Sequence, residues 1–114
     1  MIEIVVERNS NHTIHSFSMS GHAESGPYGQ DIVCAGASAV SLGAVNGISA
    51  LCNIELDVDM SDNGGYLRCT VPSHVSGRVF EDVQLLLEGM LVSLHSIAEE
   101  YGDYMTIAEN QGGE

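Results

Sequence analysis

An uncharged run of 21 residues, Ile32–Cys52, limits what this chain can fold into more than any other feature of its sequence. A run of that length is either a membrane-spanning helix or a helix of a protein core. It contains three glycines, three serines and five alanines, and no lysine or arginine lies beside it. That composition is too weakly apolar for stable insertion, and the charges that orient a membrane span are missing. We therefore interpret the run as a helix buried inside a soluble domain and expect no membrane partner.

The ends of two helices can be located from residue types. Asp31 stands directly before the uncharged run, and aspartate is favoured at a helix N-cap because its carboxylate accepts hydrogen bonds from first-turn amides. The first helix is therefore predicted to begin there and to end near Cys52. From about residue 78 to residue 101, apolar side chains recur at helical spacing with acidic residues on the opposite face. This pattern predicts a second helix, which Gly102 can end.

Alternating or β-branched stretches on either side of these helices predict five strands. The predicted strands cover residues 1–7, 12–18, 55–60, 66–71 and 104–108. The resulting order is β-β-α-β-β-α-β, which favours an α/β fold, a two-layer sandwich in which a mixed sheet packs against two main helices. A length of 114 residues fits a single domain, residues 1–114.

The charge balance restricts the partners of the chain. Sixteen acidic residues against three arginines and no lysine give a formal net charge of −13. Such a surface repels phosphate backbones, so direct nucleic-acid binding is not expected. A basic partner would be attracted to it, while a second interpretation, that the acidic residues only keep the domain soluble, stays open.

Cysteine usage and the amino terminus indicate a cytoplasmic protein. The first ten residues have no basic segment followed by an apolar one, so they do not resemble a signal peptide. Three cysteines are an odd number for a disulfide framework, which favours a reducing compartment. Cys52 ends an apolar run and Cys69 lies in a predicted strand, so both are interpreted as packing residues. The histidines share no spacing with the cysteines that would indicate zinc, and neither a metal nor a cofactor is expected.

The segment between the second strand and the first helix concentrates the residues that an active site needs. Cys34 lies in the first turn of the predicted helix, where free amides and the helix dipole stabilise a thiolate and can hold an oxyanion. His22 follows the second strand, and a folded-back loop can bring its imidazole to the sulfur as a base. Gly21, Gly26 and Gly29 belong to a loop that can move aside for a substrate and then cover it.

Each of these residues also has a structural interpretation. A cysteine in an apolar helix is often a small core residue, and a histidine beside glycine is often solvated. Asp31 can cap the helix or orient His22, and the cap is preferred. Ser38 lies one turn after Cys34, where its hydroxyl can line the site or bond a backbone carbonyl. The residue types alone leave catalysis and packing both open.

The sequence of residues 21–40, GHAESGPYGQDIVCAGASAV, resembles the signature of the ribosomal-processing cysteine proteases, the Prp family. The similarity is collinear, and it extends to residues 63–65 after the third strand and to residues 90–94 in the second helix. It therefore covers nearly the whole chain. The matching positions in the signature are Gly21, His22, Ala23, Gly26, Gly29, residues 31–35, Ser38 and Ala39.

The resemblance implies a hydrolase with a histidine–cysteine dyad at His22 and Cys34, in a homodimeric α/β protein. It implies that the substrate is the N-terminal extension of a large-subunit ribosomal protein, the twenty-seventh, cleaved after a pair of aromatic residues during ribosome assembly. Two other functions remain open on the residues alone. One is a non-catalytic ribosome-assembly factor that binds a basic peptide, and the other is a redox sensor that uses Cys34.

Overall fold

The computed structural model describes residues 1–21, 31–62 and 65–112, and these residues form a five-stranded mixed sheet and two helices. Along the chain the elements are β1 (Ile2–Arg8), β2 (Ile14–Ser20), α1 (Ile32–Cys52), β3 (Asp57–Met60), β4 (Tyr66–Thr70), α2 (Gly77–Glu100) and β5 (Met105–Gln111). The sheet order is β3-β4-β2-β1-β5, antiparallel throughout except for the parallel pair β1 and β5. The predicted α/β sandwich and its element order are confirmed. The largest differences are at β5, which runs three residues beyond the predicted end, and at β2 and β3, which each begin two residues later.

The core lies between one face of the sheet and the two helices. Ile4 and Val6 of β1 are buried and lie opposite Met19 and Phe17 of β2 in the register. Because side chains alternate across a strand, the neighbouring Glu3 lies on the other face and is exposed. The two helices pack against each other over the apolar face. The core thus joins all the sheet's central strands to both helices.

The prediction that α1 is buried is correct for one side only. Val33, Ala37 and Ile48 are buried, whereas Ile32 and Leu51 are 63% and 77% exposed. The outer side of a helix layer faces solvent in a two-layer fold, and this helix has no charged residues with which to cover that side. Within the described part of the chain, α1 is the one helix long and apolar enough to cross a membrane, judged by length and composition alone.

Arg8 joins three elements on the side of the sheet far from β3. Its guanidinium bonds Glu88 of α2 at 2.6 Å and Glu109 of β5 at 2.9 Å. His95 of α2 lies 3.2 Å from the second oxygen of Glu109. The hydrogen bond from Arg8 and, to a smaller extent, that from His95 lower the pKa of Glu109 from its ordinary value of 4.5. The ionised carboxylate therefore stabilises the attachment of β5.

We expect the Glu109→Gln variant to unfold at a lower temperature than the wild type at pH 7. A lowered folded-state pKa contributes stability above the unfolded-state value, and that contribution is lost as the pH falls through the folded-state pKa. The difference in melting temperature should therefore shrink as the pH is lowered below about 4.5. Thermal unfolding from pH 3 to pH 8 measures it, with Glu99→Gln on the exposed side of α2 as the control. A difference that stays constant over this range would contradict the assignment.

Candidate active site

The start of α1 holds Cys34 in the first helical turn. Asp31 is the N-cap residue, with extended backbone angles, and its Oδ1 accepts a hydrogen bond from the amide of Cys34 at 3.0 Å. The first intrahelical bond runs from the amide of Ala35 to the carbonyl oxygen of Asp31 at 3.1 Å. Asp31 thus acts as the cap that its residue type indicates. Because Asp31 accepts a hydrogen bond from the Cys34 amide, that amide is not a candidate for stabilising an oxyanion. The candidates at the helix start are the amides of Ile32 and Val33.

A cavity of about 190 Å³ opens beside Cys34 and has a mainly apolar wall. Ser38 lines it one turn after Cys34, on the same side of the helix. Met19 of β2 contributes another part of the wall. The hairpin of β3 and β4 contributes Met60 and Tyr66 to the wall. The cavity therefore offers an apolar side chain a place directly beside the thiol.

Gly21 fixes the end of β2 at the wall of this cavity. Its amide donates to the carbonyl oxygen of Gly65 at 2.9 Å, and its φ of +86° is in the region that favours glycine. A Cβ built there would overlap the backbone carbonyl of Met1. Gly21 also lines the cavity together with Cys34. The chain therefore leaves β2 at a defined point next to the thiol.

His22, Gly26 and Gly29 lie outside the described residues, so the dyad and the substrate-covering loop remain predictions. His22 is the residue that follows Gly21 in the sequence.

The other two cysteines have packing environments. Cys69 of β4 is 1% exposed, and burial raises its pKa to about 11. Cys52, the last residue of α1, is half-buried against the core. In residues 1–21, 31–62 and 65–112, no three histidine, cysteine or acidic side chains are grouped so that they could hold a metal ion. Cys34 is the cysteine that borders the cavity.

We expect iodoacetamide to modify Cys34 much faster than Cys69 in the folded protein. With a pKa of about 11, about one Cys69 in a thousand is a thiolate at pH 8, and the thiolate is the reacting form. Cys34 is half-buried, but it borders the cavity at the helix start, where a reagent can reach it. Peptide mapping by mass spectrometry after short exposure measures both rates, and unfolding in guanidinium should equalise them. Equal rates in the folded state would contradict a reactive Cys34.

A half-buried thiol at a helix start, beside a cavity suited to an apolar side chain, is typical of enzymes that use cysteine as a nucleophile. The family model described as cysteine protease Prp matches residues 1–106 of the chain. The chain therefore belongs to the Prp family of cysteine proteases.

Relatives with that name are similar over nearly their full length. The ribosomal processing cysteine protease Prp of Bacillus subtilis is 39% identical over 110 residues, which are 96% of this chain and 98% of that protein. The protein of the same name from Staphylococcus aureus is 41% identical over 103 residues, which are 90% and 93% of the two chains.

Two solved structures are similar in fold as well as in sequence. The S. aureus Prp protease with a covalently linked product peptide has a TM-score of 0.88 and 38% identity, covering 96% of this chain and 100% of that one. The same S. aureus protease in complex with a substrate peptide has a TM-score of 0.83 and 36% identity, with the same coverage.

The residue patterns did not predict that β3 and β4 contribute to the wall of the cavity. Met60 and Tyr66 flank the connection between these strands, and the turn residues there predict a hairpin but not its neighbours. The contact arises because β4 pairs with β2, which carries Gly21 at its end. The alternation of residues 55–60 predicts a strand with one apolar side, but it does not indicate that this side lines the cavity beside Cys34.

Proposed function

We propose that this protein is a cysteine endopeptidase that removes the N-terminal extension of a large-subunit ribosomal protein, the twenty-seventh, during ribosome assembly. The observation that carries the proposal is the thiol of Cys34 at the start of α1, beside an apolar cavity whose wall includes the residue before His22. Membership in the Prp family supports the peptidase chemistry. The names of the relatives support a ribosomal substrate.

In the proposed mechanism, the imidazole of His22 takes the proton of Cys34, and the thiolate attacks the scissile carbonyl carbon. The resulting oxyanion receives hydrogen bonds from amides at the helix start, for which Ile32 and Val33 are the candidates. The carbon–nitrogen bond breaks as His22 returns the proton to the leaving amine, and a thioester remains. Water that gives a proton to the same imidazole then hydrolyses the thioester and regenerates the thiol.

The lining of the cavity supports an apolar residue at the cleavage site. Met19, Met60 and Tyr66 provide a surface on which an aromatic side chain can be buried. This agrees with cleavage after a pair of aromatic residues, which the family resemblance implies. Ser38 supplies a hydroxyl at the same wall for a polar atom of the substrate backbone.

The net charge of −13 supports a basic substrate in the cytoplasm. Ribosomal proteins are strongly basic, so opposite charges speed their encounter with this enzyme, while ribosomal RNA is repelled. On this basis, cleavage should slow when the ionic strength is raised from low to physiological salt.

A homodimer is supported by the outward faces of the two helices. Leu85 and Val92 of α2 are 71% and 66% exposed, and Ile32 and Leu51 of α1 are exposed to a similar degree. A second copy would remove these large apolar side chains from water. Sedimentation equilibrium should then give about twice the mass of one 12.1 kDa chain.

The decisive experiment incubates the purified protein with the extended ribosomal protein and determines the product masses. Wild type and Cys34→Ala are compared side by side. Two fragments with the wild type alone, separated after a pair of aromatic residues, are the expected result. Intact substrate that stays bound to the wild type would instead favour the non-catalytic assembly factor.

A further inference from the structure

The strand β3 forms one edge of the sheet. It is the last strand in the sheet order and pairs with β4 alone among the residues that the structure describes. The amide of Ser61 donates to the carbonyl oxygen of Tyr66 at 3.2 Å, which identifies one hydrogen-bonded pair. Hydrogen-bonded and non-bonded pairs alternate along an antiparallel ladder. The backbone groups of Val58 and Met60 therefore point away from β4, toward the free edge.

The two faces of this edge differ in chemistry. Val58 and Met60 lie opposite buried residues of β4, so their side chains are on the helix side of the sheet, where they are 43% and 55% exposed. Met60 also lines the cavity beside Cys34. Asp57 and Asp59 lie on the other face and are exposed, and Arg68 of β4 lies opposite Asp59 on that face. One face is thus apolar and continuous with the candidate site, and the other presents two carboxylates at the outer strand with one arginine on the inner strand.

We propose that the β3 edge binds the substrate itself, as an added strand formed by the peptide segment on one side of the scissile bond. An extended peptide satisfies the free backbone groups of Val58 and Met60 by β-augmentation. Its side chains then alternate, with apolar residues on the helix side and basic residues beside Asp57 and Asp59. The inference rests on the proposed function, because its occupant is the peptide that Cys34 cleaves.

Two observations favour the substrate over a second copy of this chain as the occupant: the charge of the edge, and the continuity of its apolar face with the cavity beside Cys34. Two β3 edges brought together would place Asp57 and Asp59 against the same residues of the partner, and like charges oppose such pairing. A basic peptide meets the opposite sign. The four residues of β3 span about 13 Å, so the edge can pair with about four residues of the peptide.

The first test measures peptide binding in the Cys34→Ala background, where no cleavage interferes. The probes are synthetic peptides that share the aromatic pair and carry lysine or glutamine at positions two to five on either flank. Asp57→Asn with Asp59→Asn is expected to weaken binding of the lysine peptides by about tenfold at low salt and to leave the glutamine peptides unchanged. Glu99→Gln with Glu100→Gln removes the same charge from α2 and is expected to change the dissociation constant less than twofold.

A second test examines the added strand through its backbone. Peptides are N-methylated at one position at a time along the recognised flank, and binding is measured again. Since a strand edge bonds every second residue of its partner, weakening of about tenfold or more should recur with a period of two. The inference would be overturned if the loss of binding on methylation did not recur at every second position. It would also be overturned if the Asp57→Asn and Asp59→Asn variant changed the dissociation constant as little as the α2 control does. Cleavage by the wild type is scored separately, so failure of the peptidase proposal is distinguishable from failure of the docking edge.

Discussion

Replacing Cys34 by alanine is expected to lower the rate of peptide cleavage by at least about 10⁴-fold, because removal of a nucleophile leaves only binding and oxyanion contacts. The fold should remain. Cys34 is half-buried, and its amide bonds Asp31 whether the side chain is cysteine or alanine. We therefore expect the melting temperature to change by only a few degrees. The measurement is single-turnover cleavage of a peptide containing the aromatic pair, followed by mass spectrometry.

Two further variants make this result specific. Cys34→Ser keeps the side-chain size but replaces the thiol by a hydroxyl that is far harder to ionise, so it should be almost as inactive as Cys34→Ala. Cys52→Ala removes a half-buried thiol at the other end of α1 and should retain cleavage within about twofold. Substantial turnover by Cys34→Ala would rule out a thiol nucleophile at this position and with it the proposed dyad.

The architecture follows from local sequence patterns to a large extent. The alternation in β1 identifies its buried side, and Asp31 and the uncharged run identify α1, because caps and periodicities are short-range properties. The order of the strands in the sheet does not follow in the same way. Alternation indicates which face of a strand is buried but not which strand lies beside it. The parallel pairing of β1 with β5, which are about a hundred residues apart, therefore became known from the structure.

In the candidate site, too, some features follow from local sequence and others depend on how the strands pair. Cys34 was predicted from its position at a helix start, which is a local property, and its place beside a cavity is now observed. The contribution of Met60 depends on the pairing of β4 with β2 and could not be derived from neighbouring residues. Asp31 caps the helix as its residue type indicates, and it occupies the amide of Cys34. His22 as the base stays a prediction, since it lies outside the described residues.

Replacing Gly21 by alanine is the second change for which we expect a large effect. A φ of +86° is costly for any residue with a Cβ, and the added carbon would meet the backbone carbonyl of Met1, which cannot rotate away as a side chain can. The free energy of unfolding should fall by roughly 1–3 kcal/mol. The end of β2 must also shift, and in the proposed mechanism the base, His22, is the next residue of the chain. Because misplacement of a catalytic group by about 1 Å costs on the order of a hundredfold, kcat/KM should fall by about that factor.

Gly89→Ala provides the control, because it makes the same substitution at a glycine where alanine is tolerated. A Cβ at Gly89 meets open space in the middle of α2, so alanine there should stabilise the protein by up to about 1 kcal/mol and leave cleavage unchanged. Denaturant titration gives the stability of both variants, and kcat/KM is measured where both are fully folded. Alkylation of Cys34 at the wild-type rate in the Gly21→Ala protein would locate the defect outside the nucleophile. If this variant cleaves within twofold of the wild type, the end of β2 does not position a catalytic group, which would contradict His22 as the base.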